Sequence, residues 1–152
     1  MRLSAFSDYS LRVLMHLGTH TDRLATIGEI AKLYDISENH LTKVVHQLGR
    51  AGYIDTLRGK GGGIRLARAP RQIPLGEVLR HTETDFALVE CFGEASRCHI
   101  EPDCQLKPIL NEALVAMFRV LDGYTLADIL TPGIERPAVI KVIRHSIAED
   151  KA

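Results

Sequence analysis

Apolar residues in the first third of the chain recur at every third or fourth position, a pattern that predicts amphipathic helices. The first helix is expected over residues 6–20, with Ser7 or Asp8 accepting hydrogen bonds from its free N-terminal amides. Thr26-Ile27-Gly28-Glu29 has the form of a capping box, in which a hydroxyl and a carboxylate each satisfy a backbone donor. A second helix is therefore predicted from Ile27 to Tyr34.

A third helix is predicted after a short turn, with Ser37 as its N-cap and its end near Gly52. Its apolar positions repeat at intervals of three and four: Leu41, Val44, Val45 and Leu48. Two helices joined by a three-residue turn match the helix-turn-helix arrangement, whose second helix enters the DNA major groove. On length alone, an ordinary helical hairpin is an equal alternative.

The segment after the third helix favours the DNA-binding interpretation. Residues 53–57 and 64–67 have the pattern of short strands, and the glycine-rich turn over residues 58–63 makes them a β-hairpin, or wing. Glycines let a backbone approach a phosphate closely, and Arg58, Lys60 and Arg65 supply cations that release counterions from DNA. The turn lacks the residue order of a nucleotide-binding loop, and no other enzyme motif stands out.

The second half of the chain contains one long helical pattern. A short helix is predicted over residues 75–81, and no clear period survives over residues 86–104. Residues 105–123 predict a helix of about 28 Å. Its apolar stripe consists of Leu106, Ile109, Leu110, Ala113, Leu114, Met117 and Leu121. Because one small neighbour is too short to cover this stripe, we expect burial against a twin helix in a homodimer rather than packing within one chain. A final helix is expected over residues 138–148.

Together these elements predict a mainly α fold with a small β-hairpin wing, in which a winged helix-turn-helix domain is followed by a long dimerisation helix. The expected division is residues 1–72 for DNA binding, 73–104 for a linker helix and a loop that holds all three cysteines, 105–130 for the dimerisation helix and 131–152 for a C-terminal tail.

The formal net charge of zero hides an uneven distribution of charge. Residues 26–72 hold eight Lys or Arg against four Asp or Glu, whereas residues 73–135 hold four against eleven. The basic segment contains the predicted helix-turn-helix and wing, where DNA is the expected partner. Charges within the first 12 residues argue against a cleavable signal or a membrane span, so a cytoplasmic protein without a membrane partner is expected.

All three cysteines of the chain, Cys91, Cys98 and Cys104, lie in one loop without apolar periodicity. Their odd number and a reducing cytoplasm argue against structural disulfides. The spacing fits the paired ligands of structural zinc poorly. An iron-sulfur cluster, a thiol redox switch and, less favoured, zinc or no metal remain open on chemistry alone. Residues that could complete a cluster are His99, Glu101 and Asp103 in the loop, and Asp8 from elsewhere.

Five segments of the chain resemble the winged-helix iron-sulfur transcriptional regulators. They are Phe6–Arg12, Ser37–Val45, Gln47–Tyr53, Arg58–Leu66 and the three-cysteine loop, and the likeness covers roughly residues 1–131. Within that family, Asn39-His40, Cys98–Lys107 and Leu121–Asp128 look like the nitric-oxide-sensing repressors. A second branch carries a histidine ligand three residues after its last cysteine, and Lys107 occupies that position here.

The resemblance implies a function for the whole chain, which is a regulator and not an enzyme. A homodimer with a 4Fe-4S cluster, or a 2Fe-2S form of it, would bind palindromic operator DNA and release it when nitric oxide attacks the iron. Asp8 of the partner subunit would be the fourth ligand. Contacts to DNA bases are expected from the exposed start of the third helix, at Ser37, Asn39, His40, Thr42 and Lys43. A cluster-free thiol- or ligand-gated regulator and a small redox carrier are the alternatives.

Overall fold

The computed structural model describes residues 2–93, 96–100 and 103–130. The N-terminal part contains α1 (Ala5–Thr19), α2 (Ile27–Tyr34), α3 (Glu38–Arg50), β1 (Ile54–Leu57) and β2 (Gly63–Leu66). It is followed by α4 (Leu75–Thr82), α5 (Leu106–Asp122) and α6 (Leu126–Leu130), with 3₁₀ turns at Pro70–Gln72 and Glu90–Phe92. The predicted helix over residues 138–148 and the tail of residues 131–152 lie outside the described residues.

The winged domain is held together by apolar side chains that α1, α2, α3 and the hairpin turn inward. α3 packs against both α1 and α2, and its C-terminal end packs against β1. The largest fully buried side chains include Leu14, Leu41, Leu48, Tyr53 and Ile64. Three helices with a two-stranded hairpin confirm the predicted fold class, and the turn between α2 and α3 has the predicted length.

The N-termini of α1 and α3 differ from the predicted capping. Ser4, not Ser7 or Asp8, caps α1, because its Oγ accepts a hydrogen bond from the Ser7 amide at 3.2 Å. Ser7 is instead buried, and its Oγ donates to Thr82 Oγ1 of α4 at 2.8 Å. Ser37 occupies the N-cap position of α3 without a side-chain capping hydrogen bond. Its hydroxyl is therefore left for other partners.

The hairpin is antiparallel and shorter than predicted at its outer ends. β1 begins at Ile54, which pairs with Leu66, so Tyr53 precedes the strand and is fully buried. Gly62 and Gly63 fit a tight turn: a Cβ at either position would overlap a backbone oxygen, that of Leu57 or Ala25 respectively. These two glycines are therefore required by the close approach of the chain to itself.

α5 has two different apolar faces where the sequence predicted one stripe. Leu110, Leu114, Met117 and Leu121 are half-buried, on the side of the helix that packs against α4. A second row, spaced by three and four residues, is exposed: Leu106, Ile109, Ala113, Ala116 and Val120. We call this second row the α5 seam. No residue of α5 is fully buried within the described chain.

The predicted dimerisation segment of residues 105–130 is not one continuous helix. α5 ends at Asp122, and a separate α6 begins at Leu126. Gly123 caps the end of α5, and Asp128 fixes the start of α6 by accepting hydrogen bonds from the Thr125 amide at 2.6 Å and the Thr125 hydroxyl at 2.7 Å. α6 then packs on α1, with Leu126 fully buried. The end of this segment therefore belongs to the core of the winged domain.

Candidate DNA-binding surface and cysteine loop

The residues predicted to contact DNA bases all lie on the solvent side of α3 and its N-cap. Ser37, Asn39, His40, Thr42 and Lys43 are exposed, while the apolar residues of α3 are buried on the opposite side. Thr42 Oγ1 donates to the Glu38 carbonyl at 2.8 Å, which fixes the hydroxyl and leaves its oxygen available as an acceptor. The structure thus brings the five predicted residues together on one accessible surface.

The three predicted cations of the wing are also exposed. Arg58 and Lys60 lie at the turn of the hairpin, and Arg65 lies on β2 opposite Asp55. Arg65 Nε is 3.6 Å from Asp55 Oδ2, with both side chains more than half exposed. Because so exposed a pair is readily exchanged for other partners, Arg65 remains available to a phosphate.

A polar cluster that the sequence did not predict joins the base of the wing to α4. The Tyr53 hydroxyl lies 2.6 Å from His81 Nδ1 and 3.0 Å from Glu77 Oε1, and Arg68 bonds the same carboxylate oxygen at 3.0 Å. Burial, together with the Glu77 carboxylate, raises the pKa of Tyr53 far above its usual value. Although burial opposes it, hydrogen bonds from Arg68 and Tyr53 lower the pKa of Glu77. Tyr53 therefore stays a neutral donor and Glu77 a charged acceptor.

The cysteine loop holds three thiols that form no disulfide. Cys91 is buried in the 3₁₀ turn, and Cys98 and Cys104 are partly exposed. The Cys98 amide donates to Ser96 Oγ at 3.3 Å, and the Arg97 amide donates to Glu90 Oε1 at 3.2 Å. These local bonds shape the loop on either side of Cys98.

Within the described residues, no group of three or more His, Cys, Asp and Glu side chains is arranged to hold a metal ion. Asp8 lies on α1, where Arg12 binds its Oδ2 through Nε at 3.1 Å and Nη2 at 2.9 Å. His99 and Asp103 are exposed in the loop, and Glu101 lies outside the described residues. Three unpaired thiols in one loop nevertheless are the donors that an iron-sulfur cluster requires. The donor chemistry fits a cluster, although these side chains are not gathered around one point.

Comparison with known proteins decides the family. Residues 3–132 match the Rrf2 family, described as iron-dependent transcriptional regulators. The chain belongs to the Rrf2 family. It is 54% identical over 132 residues to the HTH-type transcriptional regulator NsrR of Bacillus licheniformis, covering 86% of this chain and 92% of that protein. It is 52% identical to the NsrR of Bacillus subtilis, covering 86% and 90%.

Solved structures agree with this assignment. T. potens IscR has a TM-score of 0.69 at 27% identity, with 86% of each chain covered. CymR, the global cysteine regulator of B. subtilis, has a TM-score of 0.67 at 26% identity, covering 86% of this chain and 96% of that one. The resemblance drawn from the sequence motifs is confirmed. This Rrf2-family chain is a DNA-binding transcriptional regulator and not an enzyme. Within the parts of the chain described here, no helix has the length and apolarity to cross a membrane.

Proposed function

We propose that this Rrf2-family protein is a cytoplasmic, homodimeric repressor that senses nitric oxide through an iron-sulfur cluster. The observation that carries the proposal is its 46–54% identity to several regulators named NsrR, the nitric-oxide-sensing repressors that its motifs resemble. The three unpaired thiols, which precede α5 in a single loop, supply the matching donor chemistry.

Cys91, Cys98 and Cys104 would hold the cluster, which we propose is 4Fe-4S when loaded and 2Fe-2S in a degraded form. An oxygen ligand from Asp8 of the partner subunit would complete it. When bound, the cluster would supply iron that can react with nitric oxide. Asp8 belongs to α1, which packs against α3. A change at Asp8 therefore reaches the recognition helix through one packed interface.

The α5 seam supports the homodimer. Its five residues repeat at intervals of three and four, as in the contact row of paired helices, and Ala113 and Ala116 at its centre allow close approach. Leu106 is 57% exposed, Ile109 60% and Val120 61%. A continuous, exposed apolar row indicates a protein interface. Because a palindromic operator is bound by a symmetric dimer, the favoured partner is a second copy of the chain.

In the dimer, residues 1–72 of each subunit would bind one operator half-site. Ser37, Asn39, His40, Thr42 and Lys43 would contact bases in the major groove, and Arg58, Lys60 and Arg65 would bind phosphates beside it. Because half-sites have fixed spacing, a small rotation of one α3 relative to the other weakens binding. A change of about 1.4 kcal/mol in the free energy of binding already changes the affinity tenfold.

Anaerobic purification followed by gel shifts with promoter DNA tests the proposal. We expect a coloured, iron- and sulfide-containing protein that binds its operator and releases it after addition of a nitric oxide donor. The triple variant in which all three cysteines become serine is expected to contain no iron and to bind operator weakly. Cluster-loaded protein that holds its operator unchanged after nitric oxide would contradict the proposal.

A thiol-gated regulator of the same fold is the second candidate. The observation in its favour is that the three thiols are unpaired yet not arranged around a metal position in the described residues. In that case anaerobically purified protein would be colourless and free of iron. Its operator binding would then respond to oxidation and reduction instead of nitric oxide.

A further inference from the structure

The exposed face of α3 carries polar and basic residues that extend past Lys43 toward the C-terminal end of the helix. Asn39, Lys43, His46 and Arg50 are all exposed and follow one another at intervals of four, three and four residues. This spacing places them in one row along the helix, directly opposite the buried row formed by Leu41, Val44, Val45 and Leu48. The side of α3 that faces away from the core therefore carries two cations, Lys43 and Arg50, with His46 between them.

The C-terminal half of this row lines a cleft. The cleft has a volume of 760 Å³ and is lined by Phe6, Lys43, His46, Gln47, Arg50, Ala51 and His81. Gln47 Nε2 donates to the His81 carbonyl at 2.9 Å, which fixes α3 against α4 at this point. None of these lining residues carries a carboxylate. The cleft is thus open to solvent and cationic, and the hydrogen bond between Gln47 and His81 fixes the position of its two helices.

Helix geometry separates His46 and Arg50 in this cleft from Asn39 at the start of α3. At 1.5 Å per residue, His46 lies about 10 Å and Arg50 about 16 Å along the helix from Asn39. The major groove is about 12 Å wide. In helix-turn-helix proteins the N-terminal residues of the recognition helix contact the base edges, so Arg50 at the far end of α3 is available for a contact to the sugar-phosphate backbone instead.

We propose that this cleft between α3 and α4 binds a backbone phosphate of DNA, with Arg50 as the principal ligand and His46 as the second. A guanidinium binds phosphate with two parallel hydrogen bonds, and a contact of this type fixes the register of the recognition helix without reading sequence. The inference depends on the DNA binding of the family and is independent of the cluster and of nitric oxide.

The test measures how the affinity of the full-length protein for a duplex of arbitrary sequence depends on salt concentration. Replacing Arg50 with Gln is expected to reduce the magnitude of the slope of log K against log salt by about 0.9, the value for one phosphate contact. Arg50→Lys is expected to keep most of the slope. The matched control Arg119→Gln, on the exposed surface of α5, is expected to leave it unchanged.

An unchanged slope in Arg50→Gln, with circular dichroism and melting temperature equal to those of the wild type, would overturn the proposal. Free phosphate is the other source of the same ligand chemistry, so His46 is also followed by NMR during titration with inorganic phosphate. Saturation of the cleft by inorganic phosphate without any effect of Arg50→Gln on the DNA slope would likewise overturn it. Binding to a duplex of arbitrary sequence depends on neither the operator sequence nor the cluster. A failure of nitric oxide sensing would therefore leave the result of the slope measurement unchanged.

Discussion

Arg80 and Asp122 form a two-pronged ion pair, in which the guanidinium Nη1 and Nη2 lie 2.6 and 2.8 Å from the two carboxylate oxygens. The hydrogen-bonded pair raises the pKa of Arg80 and lowers that of Asp122. The Arg80 guanidinium also covers the ring of Phe118 at 4.3 Å from its centroid. The pair joins α4 to α5, the helix that begins two residues after Cys104. It therefore holds the C-terminal end of α5, the helix that follows the cysteine loop, against α4, which is hydrogen-bonded to α3 through Gln47 and the His81 carbonyl.

Breaking this pair is expected to weaken the coupling between cluster state and DNA affinity. Asp122→Asn removes the carboxylate charge that binds Arg80, and the ratio of operator affinities with and without the cluster should fall toward one. Coupled sites typically show ratios of about 5–150-fold. Because both side chains are nearly half exposed, the melting temperature should change little. Glu112→Gln on the same helix is the control, and an unchanged ratio in Asp122→Asn would contradict the role of the pair.

The Tyr53 hydroxyl is expected to contribute to the stability of the winged domain. Tyr53→Phe removes the bonds to Glu77 and His81 inside the protein and should lower the free energy of unfolding by about 1 kcal/mol. Urea denaturation measures the change. Tyr124, which is 45% exposed, provides the control: Tyr124→Phe should be neutral. Equal stability of the two variants would show that the Tyr53 cluster contributes nothing.

The Tyr53 cluster also illustrates which contacts cannot be predicted from the sequence. Local signals were sufficient for α2, whose Thr26 cap and apolar period placed it at Ile27–Tyr34 as found, although the Glu29 carboxylate of the predicted capping box binds Arg23 instead. The partners Glu77 and His81 lie 24 and 28 residues from Tyr53, and no periodic or capping signal links positions that distant. Likewise, periodicity identified the apolar positions of α5 but not which of them α4 covers. That distinction depends on tertiary packing.

The exposed site residues could be named from sequence because helix phase alone determines which side of α3 faces solvent. Asn39 and Lys43 follow from the buried period of their neighbours. Asp8 and Arg12 form an ion pair and are four residues apart on α1, which is the spacing at which side chains meet on a helix. The arrangement of the cysteine loop had no comparable signal, because its residues follow no repeat.

Protonation of His16 should make the protein less stable in mild acid. The side chain is 4% exposed and lies 3.3 Å from Glu29 Oε1. Burial, and then the neighbouring His20, lower the pKa of His16, while Glu29 opposes the shift. Glu29 itself stays charged, because its hydrogen bond with Arg23 helps to lower its pKa to about 2.

The lowered pKa of His16 means that the unfolded chain takes up this proton before the folded chain does. Stability is therefore fully present above about pH 6.5 and is lost as the pH falls below it, by at most about 1.4 kcal/mol per pH unit. Urea midpoints at pH 7.5 and 5.5 should show the loss in the wild type and a smaller loss in His16→Gln. His99→Gln, in the exposed loop, should behave as the wild type. Identical pH dependence in all three proteins would reject His16 as the titrating group.

Arg12 is expected to orient Asp8 for the proposed role in the partner's cluster site. Both Arg12 contacts are to Asp8 Oδ2, which leaves Oδ1 for a ligand bond. Asp8→Ala should shorten the lifetime of the cluster during anaerobic chelator challenge, and Arg12→Gln should shorten it less. Asp22→Ala, beyond the end of α1, should have no effect. If Asp8→Ala retains the wild-type lifetime and absorption spectrum, Asp8 is not a ligand.

A charge in the α5 seam should dissociate the dimer without unfolding the chain. Ala116 is exposed in the described chain, so glutamate fits there in a monomer, whereas a paired seam would have to bury the new carboxylate. Sedimentation velocity is expected to show Ala116→Glu as a monomer with a wild-type circular dichroism spectrum. Asn111→Glu places the same charge on another exposed side of α5 and should remain dimeric. Because an operator with two half-sites needs both recognition helices at once, the monomer should also lose most of its operator affinity. A dimeric Ala116→Glu variant would exclude the seam as the interface.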